Sequence, residues 1–482
     1  MRREFPITIT WQPDRKNSVP VYRQIVQFIC EKVATGEWPI GTRLPSQRAL
    51  ANQFGVNRST ISTAIDELTS YGIISGKYGA GTEIISNTWS LMLPTASNWK
   101  KLISAGYFQE NNRRIQQINH WEFAPDIVRL GTGELDPRLF PQKMWSQILQ
   151  KLSTEITSLG YAEPLGLLEL RQAIAQHMKK LGIDVSGKNI LITSGALQAL
   201  QLIASCLLED GSTVFTEAPT YLKSLQTFQS MGLNLNGIPM DQEGLEFWKI
   251  EKQLKNKDSI LYTIPTNHNP TGITMPNARR EELMDFCIKN RLPIIEDAVY
   301  QELCFDDDLE PKPLKALDKN GMVMYLGSAS KALAPGLRIG WIIASEPVIE
   351  RLGDAKMQMD YGASSLSQLV FAEFLNSGLY DEYLIGLKKE LKKRRDNAIR
   401  MLEKHFKDIA TWDHPIGGFY IWLTFNEGVN VDNLFDDALK EKILLNPGDI
   451  YDFKRNRSIR LSFAYVTCEE FDRAMSRLIR II

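Results

Sequence analysis

Apolar residues near the start of the chain recur at helical spacing. Val21, Ile25, Ile29 and Val33 stand four apart, with Phe28 on the same side, which predicts an amphipathic helix over about residues 19–35. Gly36 and Pro39 end it. Ser46 is placed to cap a short second helix that stops at Gly55, and Asn57 to cap a third. The third helix would bury Ile61, Ile65 and Leu68 and stop at Gly72. A short helix, the turn Gly55-Val56-Asn57 and another helix match helix-turn-helix spacing. Residues 73–85 then read as two short strands around a glycine-rich turn, a wing with Lys77 near its tip.

From Ser86 to about Asp126 the chain is rich in Asn, Ser and Gln but also carries Trp89, Trp99 and Trp121. It reads as a tether that docks partly on a larger domain. From Arg129 onward short apolar runs alternate with helical patterns. The runs are Asn189-Ile190-Leu191-Ile192, Thr213-Val214-Phe215, Ser259-Ile260-Leu261-Tyr262, Leu292-Pro293-Ile294-Ile295 and Val323-Met324-Tyr325-Leu326. That alternation predicts an α/β domain, a mostly parallel sheet with helices on both faces. In such sheets ligands bind beyond the strand C-termini, so the residues that follow these runs are the candidates.

Length and composition narrow the picture. At 482 residues the chain exceeds what one core usually fills, so two or more domains are expected. A hydrophobic content of 43% with 23% charged residues excludes a disordered chain. No apolar stretch has signal-peptide or membrane-spanning length, so neither secretion nor a membrane is indicated. Five cysteines, odd in number and without metal-ligand spacing, imply no disulfide framework and no metal site, and fit a reducing cytoplasm. Residues 1–85 hold 10 Lys+Arg against 7 Asp+Glu, a net of +3; the remainder holds 46 against 50, a net of −4. An ordinary surface could produce so mild an asymmetry, and it gains meaning only with a motif.

The candidate chemistry lies in both parts. On the third helix Arg58, Ser59, Thr60, Ser62 and Thr63 are small or basic and could enter a major groove. In the larger part Lys331 sits among small residues, in Ser328-Ala329-Ser330-Lys331, just after an apolar run and seven residues before Arg338. An amine so placed, near an anion site, can form a Schiff base with an aldehyde. Pyridoxal phosphate is an aldehyde that also carries a phosphate, and its chemistry needs a lysine imine, an acid facing the ring nitrogen and a phosphate cradle. Ser194-Gly195-Ala196-Leu197 opens a helix whose N–H groups could bind phosphate, although glycine before a helix is ordinary. Tyr221 follows a strand and suits either stacking on a flat ring or simple packing. Asn269, in Asn269-Pro270-Thr271-Gly272, could donate to a ring hydroxyl oxygen. Asp297 could pair with a pyridine nitrogen, and Tyr300, three residues on, could bond the phenolic oxygen. His268 reads as a positioning or packing residue.

Two resemblances unite these features. Gly-x-x-Leu-Pro-Ser-x-Arg-x-Leu-Ala from Gly41, Gly-Val-x-Arg-x-Thr from Gly55 and Gly-x-Gly-Thr from Gly79 resemble the GntR family of bacterial winged-helix DNA-binding domains over about residues 19–85. The resemblance implies DNA contacts by Arg48, Arg58, Ser59 and Thr60, a close approach of the wing backbone at Gly79, and phosphate contacts by Arg43 and Lys77. Many family members carry arginine where Ser62 stands. Further on, Gly133, Tyr161, Gly195-Ala196-Leu197, Tyr221, Asn269, Asp297, Tyr300, Ser328, Lys331, Arg338 and Arg460 stand in the order of the fold-type-I aminotransferase family, over roughly residues 125–480. That resemblance implies a smaller α+β C-terminal part and a pyridoxal phosphate site at Lys331. Ser328 and Arg338 would hold phosphate, and Tyr161 would reach the cofactor of a partner subunit. Arg460 would bind a substrate carboxylate in a bidentate fork, with Gly133 in the same binding site.

A winged helix followed by such a domain resembles the MocR/GabR family of bacterial transcriptional regulators. It implies a DNA-binding domain at 1–85, a linker at 86–125 and an effector domain at 126–482. It further implies a cytoplasmic homodimer, head-to-tail, that binds operator DNA and senses an amino compound or pyridoxal phosphate through a Lys331 Schiff base. The alternatives are a working aminotransferase that carries a DNA-binding domain, and a scaffold in which the cofactor is only structural.

Overall fold

The computed structural model describes residues 7, 9, 11–34, 37–77, 81–86, 113–254, 258–429, 431 and 433–482. The chain divides into two compact units, Met1–Tyr107 and Phe108–Ile482.

In the first unit the helical pattern folds as its spacing dictates. Helix α1 (Val21–Ala34) buries Ile25, Ile29 and Val33. Helix α2 (Gln47–Phe54) is capped by Ser46, whose hydroxyl accepts from the Ala49 N–H at 3.3 Å, and ends at Gly55 with φ 64°. That left-handed conformation favours glycine, because a Cβ there crowds the neighbouring carbonyl. Helix α3 (Arg58–Ser70) buries Ile61, Ala64, Ile65 and Leu68. Its cap differs from the expectation: Asn57 occupies the N-cap position, but its side chain makes no capping bond. The wing has one strand more than its own sequence suggests. Strands β2 (Ile74–Lys77) and β3 (Gly81–Ile84) form the expected antiparallel hairpin, and β1 (Arg43–Leu44) pairs with β3, Arg43 opposite Glu83. Gly79 lies outside the described residues.

The second unit opens with a helix, α4 (Arg113–Trp121), within the segment that reads as a tether. Ile115 and Ile118 are buried, and the Arg114 guanidinium lies 4.2 Å from the Phe435 ring centroid and 3.2 Å from the Asp436 carboxylate. Trp89 and Trp99 lie outside the described residues. The core of the unit is an eight-stranded sheet in the order β5-β12-β11-β10-β9-β6-β7-β8. Its strands are β5 (Ile190–Thr193), β6 (Thr213–Ala218), β7 (Asn234–Asp241), β8 (Gly244–Leu245), β9 (Ser259–Thr263), β10 (Ile294–Asp297), β11 (Val323–Ser328) and β12 (Gly340–Ile343). Pairing is parallel from β11 through β10, β9 and β6 to β7; β12 and β8 run antiparallel to their neighbours. Every apolar run singled out in the sequence is one of these strands. The strands β5, β10, β11 and β12 are buried at every position, which suits a sheet covered on both faces, whereas β7 near the edge is largely half-buried or exposed.

A smaller α+β part follows the long helix Leu379–His405. Its four-stranded antiparallel sheet has the order β13-β14-β17-β16, with β13 (Ala410–Thr411), β14 (Tyr420–Phe425), β16 (Asn446–Pro447) and β17 (Ser458–Ser462). The strand β15 (Ile443–Leu444) pairs in parallel with β4 (Val128–Arg129), tying this part to the start of the unit. Among the described residues no helix is long and apolar enough to cross a membrane.

Leu68 is fully buried where α3 meets the rest of its unit. Leu68→Ala is expected to destabilise that unit by about 2–5 kcal/mol, read as an earlier urea midpoint by circular dichroism. A change below about 0.5 kcal/mol would show that this helix does not form the core.

Candidate functional site

The parallel strands bring their C-terminal ends to one edge of the sheet, so short segments far apart in sequence meet there. Tyr221 follows β6, Asn269 lies in the loop after β9, Asp297 ends β10 and Lys331 lies in the one-turn helix Ala329–Ala332 directly after β11. Gly195 follows β5 at the same edge. The smaller sheet contributes Tyr420 from β14 and Arg460 from β17, paired strands in which Arg460 stands opposite Trp422.

Lys331 and Asp297 are electrostatic neighbours at this edge. The Lys331 Nζ donates to the Gly133 carbonyl at 2.6 Å and stands 6.0 Å from the Tyr300 ring centroid. Asp297 is buried; its Oδ2 accepts from the Tyr262 hydroxyl at 2.6 Å, while its Oδ1 has no partner among the described residues. Burial raises the Asp297 pKa above the ordinary carboxylate value, opposed by the Tyr262 bond, by the backbone N–H of Val299 and by the charge on Lys331. A buried carboxylate oxygen without a donor is costly, so this geometry asks for a cationic N–H from a ligand. Tyr300 is buried with its hydroxyl 2.8 Å from that of Tyr420, and burial pushes it well above the usual tyrosine range.

The anion cradle lies at the start of helix Ala196–Leu207. Gly195 has φ 100°, and a Cβ there would sit 2.7 Å from the Arg338 Nη2. The missing side chain therefore leaves room for a guanidinium over the first helical turn, where unpaired backbone N–H groups gather. Arg338 donates through Nη2 to the Ser194 carbonyl at 2.7 Å. Ser328 Oγ accepts from the Ser330 N–H at 3.1 Å and donates to the Ile339 carbonyl at 3.2 Å, fixing the turn into Lys331.

Arg460 is the second cation. It is 3% exposed and lies over Tyr420 and Tyr451, at 4.1 and 4.7 Å from their ring centroids. Its Nη1 donates to Asn269 Oδ1 at 2.7 Å and its Nη2 to the Gly131 carbonyl at 2.5 Å, while Nε has no partner among the described residues. With Oδ1 engaged by Arg460, the Asn269 amide NH₂ is the group left to donate to a ligand. Gly133 is required to be small, because a Cβ would meet the Tyr420 hydroxyl at 2.6 Å. The Tyr221 ring stacks on Tyr451 with centroids 6.4 Å apart. Lys331, Arg460, Asn269, Tyr221, Tyr420 and Gly133 line one cavity.

His268 is buried and bonds Thr271 Oγ1 through Nδ1 at 2.8 Å. Burial lowers its pKa to about 3, so it is neutral at neutral pH and holds the turn around Asn269. Tyr161 stands apart from these residues: it is 88% exposed, with its ring 5.5 Å from that of Tyr361. Sequence reasoning did not find Tyr262, Tyr420 or Tyr451. Tyr262 and Tyr420 sit in apolar strands that read as core, Tyr451 in a polar loop without a motif, and only the tertiary fold turns the hydroxyl or ring face of each toward a charged partner.

The residues fit pyridoxal phosphate on three observations. The unpartnered Asp297 oxygen suits a protonated ring nitrogen, the glycine-lined helix start with Arg338 suits a phosphate, and the Lys331 amine opens on the same cavity. In the smaller unit Arg48, Arg58, Ser59 and Arg43 are exposed, and Thr60 is half-buried on the first turn of α3. Lys77 ends β2.

Comparison with known proteins gives the same two parts. Residues 125–478 match the family described as aminotransferase class I and II, and residues 21–84 match the bacterial regulatory proteins of the gntR family. The chain is 48% identical over 464 residues to YisV, an uncharacterized HTH-type transcriptional regulator of Bacillus subtilis, covering 96% of each chain. It is 36% identical to the HTH-type transcriptional regulator NorG of Staphylococcus aureus, over 90% of this chain and 98% of that one. Among solved structures it resembles the kynurenine aminotransferase of Pyrococcus horikoshii, with 31% identity and a TM-score of 0.73, over 80% of this chain and 96% of that one.

If Asp297 faces the ring nitrogen, Asp297→Ala should weaken retention of pyridoxal phosphate by about tenfold to a hundredfold, the worth of a charged hydrogen bond. Equilibrium dialysis would measure this, and an unchanged Kd would remove Asp297 from the role.

Proposed function

The chain belongs to the aminotransferase class I and II family and carries a gntR-family segment at its start, and from that premise we propose a pyridoxal-phosphate-dependent transcriptional regulator of the MocR/GabR type. The first unit would bind operator DNA and the second an amino compound. The observation that carries this reading is that relatives similar over both units, across 96% and 90% of the chain, are named transcriptional regulators.

In the first unit the exposed Arg58 and Ser59 open the helix that follows the turn, where they can reach base edges and phosphates. Arg43, Arg48 and Lys77 would supply phosphate contacts. In the second unit the bound cofactor supplies an electrophilic carbon and a ring that accepts electrons when its nitrogen is protonated. The chain's own residues prepare the cavity for it. Asp297 would hold a proton on the ring nitrogen, and Asn269 and Tyr300 would donate to the ring oxygen. Tyr221 would stack on the ring, while Gly195, Ala196, Leu197, Ser328 and Arg338 would hold the phosphate. Arg460 receives the effector's carboxylate, its guanidinium already oriented by Asn269 and Gly131. Lys331 is the amine that an incoming amino compound displaces. Displacement moves the protein between two states only if the effector binds one of them more tightly.

A homodimer completes this reading. Tyr161 is not among the residues lining the cavity of its own chain and carries an exposed ring beside Tyr361, with Leu159 also exposed. A partner subunit would cover this patch and receive Tyr161 at its cofactor phosphate. Two heads then imply two operator half-sites.

The second reading is a working aminotransferase, favoured by the completeness of the set Asn269, Asp297, Tyr300, Lys331 and Arg460. Turnover separates the two. The regulator predicts operator affinity that responds to an amine with little conversion of amino acid plus keto acid; sustained conversion with an indifferent operator supports the enzyme.

Lys331→Ala should shift the visible absorption of the bound cofactor to that of the free aldehyde and abolish the effector response, with operator affinity largely kept. An unchanged spectrum would displace Lys331 from its role. For the DNA-binding unit, Arg58→Ala should weaken operator binding and lower the salt slope by about one if the residue contacts phosphate, or relax sequence preference by about 1–3 kcal/mol if it reads a base. Titrations at several salt concentrations would decide, and no change in either quantity would show that α3 is not the recognition helix.

A further inference from the structure

Helix α4, which follows residues 87–112 of the tether, forms part of the wall of the effector cavity. Ile115, Ile118, Asn119 and Glu122 line it, at spacings of three, four and seven residues that place them on one helical face. Ile115 and Ile118 are 7% and 6% exposed and anchor the helix. Glu122, just past the helix end, accepts from the Thr132 hydroxyl at 2.9 Å through one oxygen. Glu134 lines the same cavity, next in sequence to Gly133, whose carbonyl receives Lys331. Among the described residues neither carboxylate has an ion-pair partner. Two buried polar groups of the same lining also lack partners there: Arg460 through Nε, and Asn446, 7% exposed, through Oδ1.

We infer that Glu122, assisted by Glu134, is a specificity-determining residue that selects amino-acid effectors carrying a second cationic group on the side chain. This rests on the reading above, in which the effector carboxylate meets Arg460 and its amino group displaces Lys331. With those two ends fixed, the side chain of the effector extends into the remaining cavity, where half-buried Glu122 and solvent-exposed Glu134 are the carboxylates without an ion-pair partner among the described residues. A cationic end gains a charge-assisted hydrogen bond there, a neutral end gains none and an acidic end meets like charge. The bond to Thr132 holds the Glu122 carboxylate in place before the ligand arrives.

The test uses the full chain loaded with pyridoxal phosphate and titrated with L-ornithine, L-lysine, L-norleucine and L-glutamate. Binding is followed by cofactor absorption and, independently, by the ligand-induced shift in Tm. Ornithine or lysine should bind at least about tenfold more tightly than norleucine, and glutamate more weakly than norleucine. Glu122→Gln, which keeps an acceptor for Thr132, should remove most of that preference and leave norleucine affinity within about twofold. Norleucine binding the wild type as tightly as both cationic ligands would overturn the inference, as would a preference that survives in both Glu122→Gln and the Glu122→Gln/Glu134→Gln double variant. Those results would leave the effector reading standing. If none of the four alters absorption or Tm, that reading falls and this inference with it.

Discussion

A carboxylate buried at the end of a central strand, with one oxygen satisfied and the other not, is the constraint on which the larger unit turns. Asp297 has its Oδ2 bonded to Tyr262 and its Oδ1 unpartnered, with Lys331 as the nearby positive charge. Leaving one buried polar group unsatisfied costs about 1–3 kcal/mol, and a charged one more. That cost is recovered when a ligand brings a cationic N–H to the vacant oxygen. Arg460 poses the opposite problem: a guanidinium sunk between two tyrosine rings, with two of its donors engaged and Nε idle. Both side chains are held in place by the fold, Asp297 by Tyr262 and Arg460 by Asn269 and Gly131. Preorganisation matters because the reorientation cost is met during folding and is not charged to binding.

Much of this was legible because sheet topology converts sequence order into spatial order. Each residue that follows an apolar run in the sequence lies at one edge of the sheet, so Asn269, Asp297 and Lys331 could be assigned to a site without knowing any distance. The tyrosines could not. Tyr420 lies in β14 among Phe419, Ile421 and Trp422, and its period reads as core; its meeting with Arg460 depends on the pairing of β14 with β17, which no local pattern encodes. Tyr262 is similarly hidden inside β9. The bond from Arg460 to Asn269 was not legible either. The sequence suggested a donor to a ring oxygen, and the fold first spends its carbonyl oxygen on Arg460, which fixes which end of the amide is left for a ligand.

The smaller unit was legible for a different reason, since its helices are short, amphipathic and bounded by residues with strong local preferences. Ser46 and Gly55 act as the spacing demands, one by a side-chain bond and one by a left-handed φ. Two features escaped. Asn57 starts α3 without a side-chain cap, because an N-cap propensity states what a residue can do and not which bond the packed turn permits. Strand β1 is two residues long, too short for any alternation to register, and it exists because β3 offers an open edge.

A site complete enough for transamination and a DNA-recognition helix in the same chain are compatible, and the physics of linkage favours slow chemistry between them. Coupling between effector and operator is a difference of binding free energies, reciprocal between the two ligands, and catalytic rate does not enter it. If the effector were converted quickly, occupancy of the cavity would follow the balance of supply and turnover instead of concentration. Seating of a carboxylate by a pre-bonded Arg460 would lower the free energy of the bound ground state, and interactions made equally in ground and transition states do not raise kcat. Residues that grip the unreacting ends of the ligand therefore serve a sensor well, and in a catalyst they act mainly through KM. In this chain the cavity is lined from separate elements, by Arg460 in the small sheet and by Ile115, Ile118 and Asn119 in α4. Holding a ligand against both walls requires both elements to be in register.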